Sequence, residues 1–396
     1  MRVVTNFMAL EHRSRRWYGL LLGLLLFVFL DLVTGTLIFR LGSEKINNRL
    51  YRQISPIYHH DLKPNTAAWA RWGPNRYRIY TNSLGFKDAA VRDVPLVSNA
   101  RRVVLLGDSF TEGVGYAYED TFAGILHARL APRGIDVLNA GVASYAPVIY
   151  YRKMKYLIEE ARLDVGEVIV FLDISGIGDE AWFYDLDRDD KVVDQPFQAG
   201  TSIDPSVMRG MPPSRWENFN VWVREHVLSV MVVGRLRKRF QRHELTSGPL
   251  GPWQAKLASK RGNWTFAFDA AAFKAVGERG LQRASHSMNL LRDLLRKHGI
   301  PLTVVVYPWP NQIVASDLNS KQVQYWRAWT AANGSGFADL FGEFIDGSDP
   351  AVTLRKYYVE GDVHFNAAGH QRLAAAMLEK ITWAPAHQVP VPSRGY

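Results

Sequence analysis

From residue 17 to residue 39 the chain reads WYGLLLGLLLFVFLDLVTGTLIF, with Asp31 as its one charge. A helix of this length runs roughly 34 Å, enough to cross a hydrocarbon core of about 30 Å. Trp17 and Tyr18 stand where an interfacial aromatic belt belongs. The run is long for a signal-peptide core and no small-x-small cleavage pattern follows it, so it reads as an anchor rather than a cleaved leader. Arg13, Arg15 and Arg16 precede it, and Arg40, Lys45, Arg49 and Arg52 follow, so the positive-inside balance leaves the orientation open. Asp31 at membrane depth costs about 3 kcal/mol, which calls for a partner helix or is tolerated. The next apolar run, VLSVMVVG at 227–234, has only 8 residues, too few for a second span.

Beyond the anchor the pattern changes. Residues 41–100 are rich in Asn, Tyr, Arg and Pro and include YTNSLGFKD at 80–88. Five short apolar runs follow: RVVLLG ending at Gly107, DVLNAG at 136–141, EVIVFLD at 167–173, PLTVVVYP at 301–308 and FADLF at 337–341. Stretches of helical spacing separate them, at 119–131, 148–162, 270–298, 321–333 and 367–381. Continuous apolar strands alternating with amphipathic helices predict a mostly parallel five-stranded sheet covered on both faces, an α/β/α sandwich. Residues 182–265 break the rhythm and read as an insertion, loop-rich first and then a basic, aromatic helix near 216–242. The expected organisation is a cytoplasmic segment 1–16, an anchor 17–39, a linker and extension 40–100, a catalytic domain 101–382 carrying that insertion, and a tail 383–396.

Composition narrows the chemistry. The chain has 396 residues, 47% of them hydrophobic and 12% aromatic, too apolar for disorder. It has no cysteine, which excludes a thiol nucleophile, a disulfide framework and any Cys-based metal site. The net charge of +10 is uneven: residues 1–52 carry +5 and residues 235–261 carry +7. A basic anchor region and one basic patch (Arg235, Arg237, Lys238, Arg239, Arg242) do not make a nucleic-acid-binding domain. The patch is a solvated helix face or a contact for anionic lipid headgroups or an acidic polysaccharide.

Two segments carry candidate chemistry. GDSFTEG at 107–113 follows the first strand, and active sites of parallel α/β sheets form at the carboxyl ends of strands. Ser109 there could present its hydroxyl and its own N–H to a substrate carbonyl; the same tripeptide also makes an ordinary helix cap. Near the other end, EGDVHFNAAGH at 360–370 sets Asp362 two residues before His364. In an extended or turn segment that offset lets the carboxylate orient the imidazole, as a triad requires. The bland alternative makes Asp362 a cap and His364 a surface residue. His59 and His60 read as surface residues and His370 as structural. Asp173, Asp179 and Glu180 read as a solvated loop or substrate contacts rather than a metal site.

Taken together, the two segments resemble the SGNH, or GDSL-type, hydrolase superfamily over about residues 76–382, the insertion excepted. GDSFTEG is similar to the first block of that family, NAGVASYAP at 139–147 to the second, and DVHFNAAGH to the last. The resemblance implies Ser109 as nucleophile, His364 as general base and Asp362 as its orienting acid. It also implies an oxyanion hole from the N–H groups of Ser109 and Gly141. The third block departs from the family: FLDISGIGDE at 171–180 puts Ser175 where an Asn donor usually stands. Asp362 in a DxH spacing, with Gly361 three before the His, is similar to the acetylation branch. TNSLGFKD and VVYPWPNQ at 305–312 are similar to features of membrane-anchored bacterial members.

The implied function is a membrane-anchored serine esterase or O-acyltransferase that adds or removes acetyl groups on exported carbohydrate. It would work without metal or cofactor, on the outer side of the inner membrane, with a multi-span acyltransferase as a candidate partner. A non-catalytic polysaccharide-binding or scaffold protein with the same fold is the rival reading.

Overall fold

The computed structural model describes residues 2–42, 44–195, 215–245, 248–257 and 262–383. All but the first residue of the tail expected at 383–396, and part of the insertion, 196–214, lie outside the described residues. The chain divides into two compact units. The first comprises residues 1–46 and 211–247, the second 47–210 and 248–396.

Among the described residues of the larger unit, twelve strands form. β1 (Arg52–Ser55) and β2 (His59–Leu62) make one hairpin; β3 (Ala67–Trp72), β4 (Asn75–Thr81) and β5 (Lys87–Asp88) follow. β6 (Arg101–Leu106), β7 (Ile135–Asn139) and β8 (Glu167–Leu172) come next, then the hairpin of β9 (Tyr184–Leu186) and β10 (Val192–Asp194). β11 (Leu302–Val306) and β12 (Gly336–Asp339) complete the set. The main sheet has 8 strands in the order β12-β11-β8-β6-β7-β5-β4-β3. Its five parallel strands are those the apolar runs predict, and all six residues of β8 are buried, as a strand covered on both faces demands.

The sheet is wider than the expected five strands. β3, β4 and β5 extend it antiparallel, with Lys87 of β5 paired to Asn139 of β7. This part of the extension is sheet and not linker. β3 and β4 bury one face only, so Trp69, Arg76 and Arg78 face outward and blur the apolar signal, while both residues of β5 are buried and charged. Gly73, with φ of +54°, makes the tight β3–β4 turn in a region that favours glycine.

Helices Phe122–Leu130 and Ala367–Lys380 pack together, as do Pro147–Lys155, Ile174–Trp182 and Glu278–Lys297. β7 and β8 flank β6, so the chain reverses its winding direction beside β6, between β6 and β8. Such a switch point opens a crevice at the carboxyl ends of the strands.

The smaller unit holds helix Arg2–Gly42 with helices Arg215–His226 and Leu228–Leu245. Within the first helix, Trp17–Phe39 is long and apolar enough to cross a membrane. Asp31 has its partner: its two carboxylate oxygens accept the Ser229 N–H at 2.8 Å and the Ser229 hydroxyl at 2.9 Å. The insertion is therefore not one block. Residues 215–245 join the anchor helix, whereas β9, β10 and the fully buried Trp253 and Trp264 belong to the larger unit.

Candidate active site

β6 delivers Ser109. Gly107 follows the strand because a Cβ there would lie 2.0 Å from Thr111 Oγ1. Asp108 caps the short helix Ser109–Glu112, its Oδ1 accepting the Phe110 N–H at 2.9 Å. As the first helical residue, Ser109 has an N–H that the helix itself leaves unsatisfied.

His364 and Asp362 come from the turn before helix Ala367–Lys380. Val359 N–H donates to the His364 carbonyl and Asp362 N–H to the Val359 carbonyl, each at 2.9 Å, with Gly361 left-handed at φ +71°. The fold brings this turn, 255 residues away in sequence, against Ser109. Ser109 Oγ lies 2.8 Å from His364 Nε2, and His364 Nδ1 lies 3.1 Å from Asp362 Oδ1. The arrangement suits a hydroxyl donating to Nε2 and an Nδ1–H donating to the carboxylate.

Asp362 is firmly held. The Val363 N–H reaches Oδ1 at 2.6 Å, and the Trp72 indole N–H reaches Oδ2 at 2.8 Å. Trp253 donates to the Asp362 carbonyl at 2.9 Å. Burial alone would raise the Asp362 carboxyl, but His364, the Val363 N–H and the Trp72 indole outweigh it. They hold the carboxyl well below the usual range. The His364 ring sits between Trp72, edge-on at 4.9 Å, and Phe110 at 4.8 Å. Its orientation is thus fixed by packing as well as by hydrogen bonds.

The other expected oxyanion donors are engaged elsewhere. Gly141 N–H donates to Asn139 Oδ1 at 3.1 Å, and Asn139 Nδ2 donates to the Thr111 carbonyl at 2.7 Å. A Cβ at Gly141 would lie 2.6 Å from Thr111 Cβ, so only glycine lets this loop approach helix Ser109–Glu112. The loop is also pinned by Glu112, which accepts the Ala143 N–H at 2.7 Å and the Arg52 guanidinium at 2.6 Å.

Ser175 Oγ stands 2.9 Å from Asp108 Oδ2 and 2.8 Å from Asp173 Oδ1. A hydroxyl carries one hydrogen, so it donates to one carboxyl and accepts from the other, which must be protonated. Burial and the neighbouring Asp173 push the Asp108 carboxyl well above its usual range, which puts the proton on Asp108. Asp173 accepts Ser175 N–H, Gly176 N–H, the Ser175 hydroxyl and the Trp309 indole N–H.

The acidic residues 173, 179 and 180 are not a solvated loop: all three are buried, and Asp173 caps helix Ile174–Trp182. Glu180 accepts the Ser287 hydroxyl at 2.5 Å and the Val148 N–H at 3.0 Å, and burial lifts its carboxyl to about 7. His60 is half-buried; Nε2 lies 2.9 Å from the Ala143 carbonyl, and desolvation lowers the imidazole to about 3. His370 is buried with Nδ1 accepting the Phe122 N–H at 3.3 Å. Among the described residues, no group of three His, Asp or Glu is placed to hold a metal ion.

Several solved structures are similar to this chain. An α/β hydrolase enzyme from the metagenome of Lake Arreo, Spain, is 13% identical and superimposes with a TM-score of 0.34 over 72% of this chain and 96% of its own. A mutant of an acetyl-xylooligosaccharide esterase from Geobacillus is 14% identical, with a TM-score of 0.35 over 73% and 98%. A lipolytic protein of the G-D-S-L family from Veillonella parvula is 12% identical, with a TM-score of 0.33 over 71% and 97%. No family model matches the sequence, and no curated protein matches it. The chemistry of this chain is read from its own side chains.

Trp72, Trp253, Phe110 and Trp309 are the parts of the site that sequence reading missed. Trp72 lies 290 residues before Asp362, and no local spacing links them. Trp309 falls within the YPWPN stretch after β11, where a strand end at the switch side of the sheet was the available signal.

Proposed function

We propose that the protein is a serine esterase or O-acyltransferase with Ser109 as nucleophile, His364 as general base and Asp362 as orienting acid. The observation that carries this reading is the unbroken Ser109–His364–Asp362 chain at 2.8 and 3.1 Å. Ser109 Oγ attacks an ester carbonyl while its proton passes to His364 Nε2. The tetrahedral oxyanion is met by the Ser109 N–H. Gly141 N–H and the Ser175 hydroxyl join it if their bonds to Asn139 and to Asp108 and Asp173 open on binding. One such donor is typically worth about 3 kcal/mol. Collapse breaks the ester C–O bond, and the leaving alkoxide takes the proton from His364. The acyl-enzyme then passes its acyl group to water or to a sugar hydroxyl, whose proton His364 removes.

The finer reading places the enzyme on the outer side of a bacterial inner membrane, tethered by Trp17–Phe39. It would add or remove acetyl groups on exported carbohydrate, with a multi-span acyltransferase as acyl donor in the transfer case. The apolar helix and the DxH spacing support this. Counting acetylated sugar against free acetate separates transfer from hydrolysis.

The test is fluorophosphonate labelling and p-nitrophenyl acetate turnover of the full chain and of Ser109→Ala. The variant should neither label nor turn over, since loss of a nucleophile costs orders of magnitude; a rate above about a tenth of wild type rejects the assignment. Failure of the wild-type chain in both assays leaves the scaffold reading.

A further inference from the structure

We propose that residues 215–245 form a re-entrant membrane element, seated in the lipid leaflet on the Phe39 side of the bilayer. The proposal rests on reading Trp17–Phe39 as a membrane span. Asp31 lies 8 residues before Phe39. At ~1.5 Å per residue that is about 12 Å below the Phe39 level, close to the midplane of a core about 30 Å thick. Ser229 binds both oxygens of Asp31 at 2.8 and 2.9 Å, so Ser229 shares that depth. Gly35, one turn above, takes the bend itself: a Cβ there would lie 2.1 Å from the His226 carbonyl oxygen. The bend therefore sits inside the hydrocarbon whenever the anchor does.

The chemistry of the contact fits that depth. Helix Leu228–Leu245 begins beside Asp31, and a carboxylate at a helix N-terminus is favourably placed against the dipole and the free N–H groups. An ionisable group at membrane depth needs such a partner. Above it, Phe39 packs on His226 at 4.5 Å, His226 on Trp222 at 5.2 Å and Trp222 on Phe219 at 6.4 Å. This aromatic ladder begins at the end of the apolar run, where aromatic belts mark the interface.

The two helices also expose apolar side chains. Phe219, Trp222, Val232, Val233 and Leu236 are exposed, Val233 by 63%. They continue the exposed apolar surface of Leu20–Leu30 on the anchor helix. Lipid hydrocarbon is the occupant that covers both. The arms cannot cross the bilayer: Trp17–Phe39 is the one candidate span among the described residues. Arg224 on one arm and Arg235 and Arg237 on the other are exposed. Both arms therefore return to the same face, where the arginines meet anionic headgroups.

The chain has no cysteine, so single-cysteine probes report cleanly. Leu24→Cys, Val233→Cys, Leu236→Cys and Val352→Cys are labelled with an environment-sensitive fluorophore on the full chain. The proteins are reconstituted in phosphatidylcholine–phosphatidylglycerol vesicles with or without acyl-chain nitroxide lipid. Probes at Leu24, Val233 and Leu236 should show blue-shifted emission that the nitroxide quenches; Val352, in the larger unit, should show neither. A water-like signal at both Val233 and Leu236, with Leu24 in lipid, overturns the proposal and leaves the anchor standing. A water-like signal at Leu24 overturns both. Lipid-like signal at either Val233 or Leu236 with unchanged far-ultraviolet dichroism supports it, so one misfolded variant does not decide the outcome.

Discussion

Trp72→Phe tests whether the N-terminal extension takes part in the chemistry of Ser109. The substitution keeps an aromatic ring near His364 and removes only the indole N–H, which donates to Asp362 Oδ2 at 2.8 Å. The Val363 N–H and the Nδ1 of His364 both use the other oxygen, Oδ1. Oδ2 thus loses the donor that sets the rotation of the carboxylate. A hydrogen bond to a charged acceptor is worth about 1.5–3 kcal/mol. If that whole amount is lost from the alignment of His364 in the transition state, the rate falls roughly 10- to 150-fold, at about 1.4 kcal/mol per decade. The loss should fall on kcat with KM little changed, because Asp362 orients the base and does not bind substrate. The assay is p-nitrophenyl acetate hydrolysis by the full chain, alongside Asp362→Asn, whose loss should be larger, up to ~10⁴-fold. Thermal unfolding of Trp72→Phe should stay within a few degrees of wild type. A kcat within about threefold of wild type refutes the reasoning, as does a loss confined to KM.

Asp108→Asn should be well tolerated, because Asn keeps an acceptor for the Phe110 N–H and a donor for Ser175 Oγ, as the protonated acid does. Asp173→Asn should cost about 1.5–3 kcal/mol, since four donors converge on that carboxylate. Comparing the two melting temperatures checks this, and the opposite order would put the proton on Asp173. Glu180 gives a pH signature. Its folded-state carboxyl, raised from 4.5 to about 7 by burial, keeps its proton while the unfolded chain releases one. Stability from this group is fully present below pH 4.5 and is lost as pH rises to about 7, by roughly 3 kcal/mol. Glu180→Gln does not ionise, so its melting temperature relative to wild type should be higher at pH 8 than at pH 5; an equal difference at both would refute the argument.

The sequence by itself determined the elements that repeat a strong local pattern. The inner parallel strands β6, β7, β8 and β11 are mostly buried apolar runs, because a strand covered on both faces must be apolar on both, whereas β12 at the sheet edge is only partly buried. The Trp17–Phe39 run is equally legible as a helix long and apolar enough to cross a membrane, with Asp31 its one charge. Ser109, Asp362 and His364 were readable as candidates because each sits just beyond a patterned element, and Asp362 and His364 are neighbours in sequence.

Tertiary structure alone decided what long-range contact creates. β3 and β4 are one-sided strands whose outward faces carry Trp and Arg, so their alternation was masked, and they join the sheet through the short buried pair Lys87–Asp88 of β5. Trp72 came to Asp362 from across the chain, with no spacing rule to announce it. Asp173 and Glu180, charged residues that composition places in solvent, are buried because helix N–H groups, hydroxyls and an indole satisfy them. Residues 215–245 were legible as a basic, aromatic helix, but only folding brought Ser229 to Asp31. A lone carboxylate in an apolar run shows that a partner is needed, and the partner's identity is a property of the packed chain.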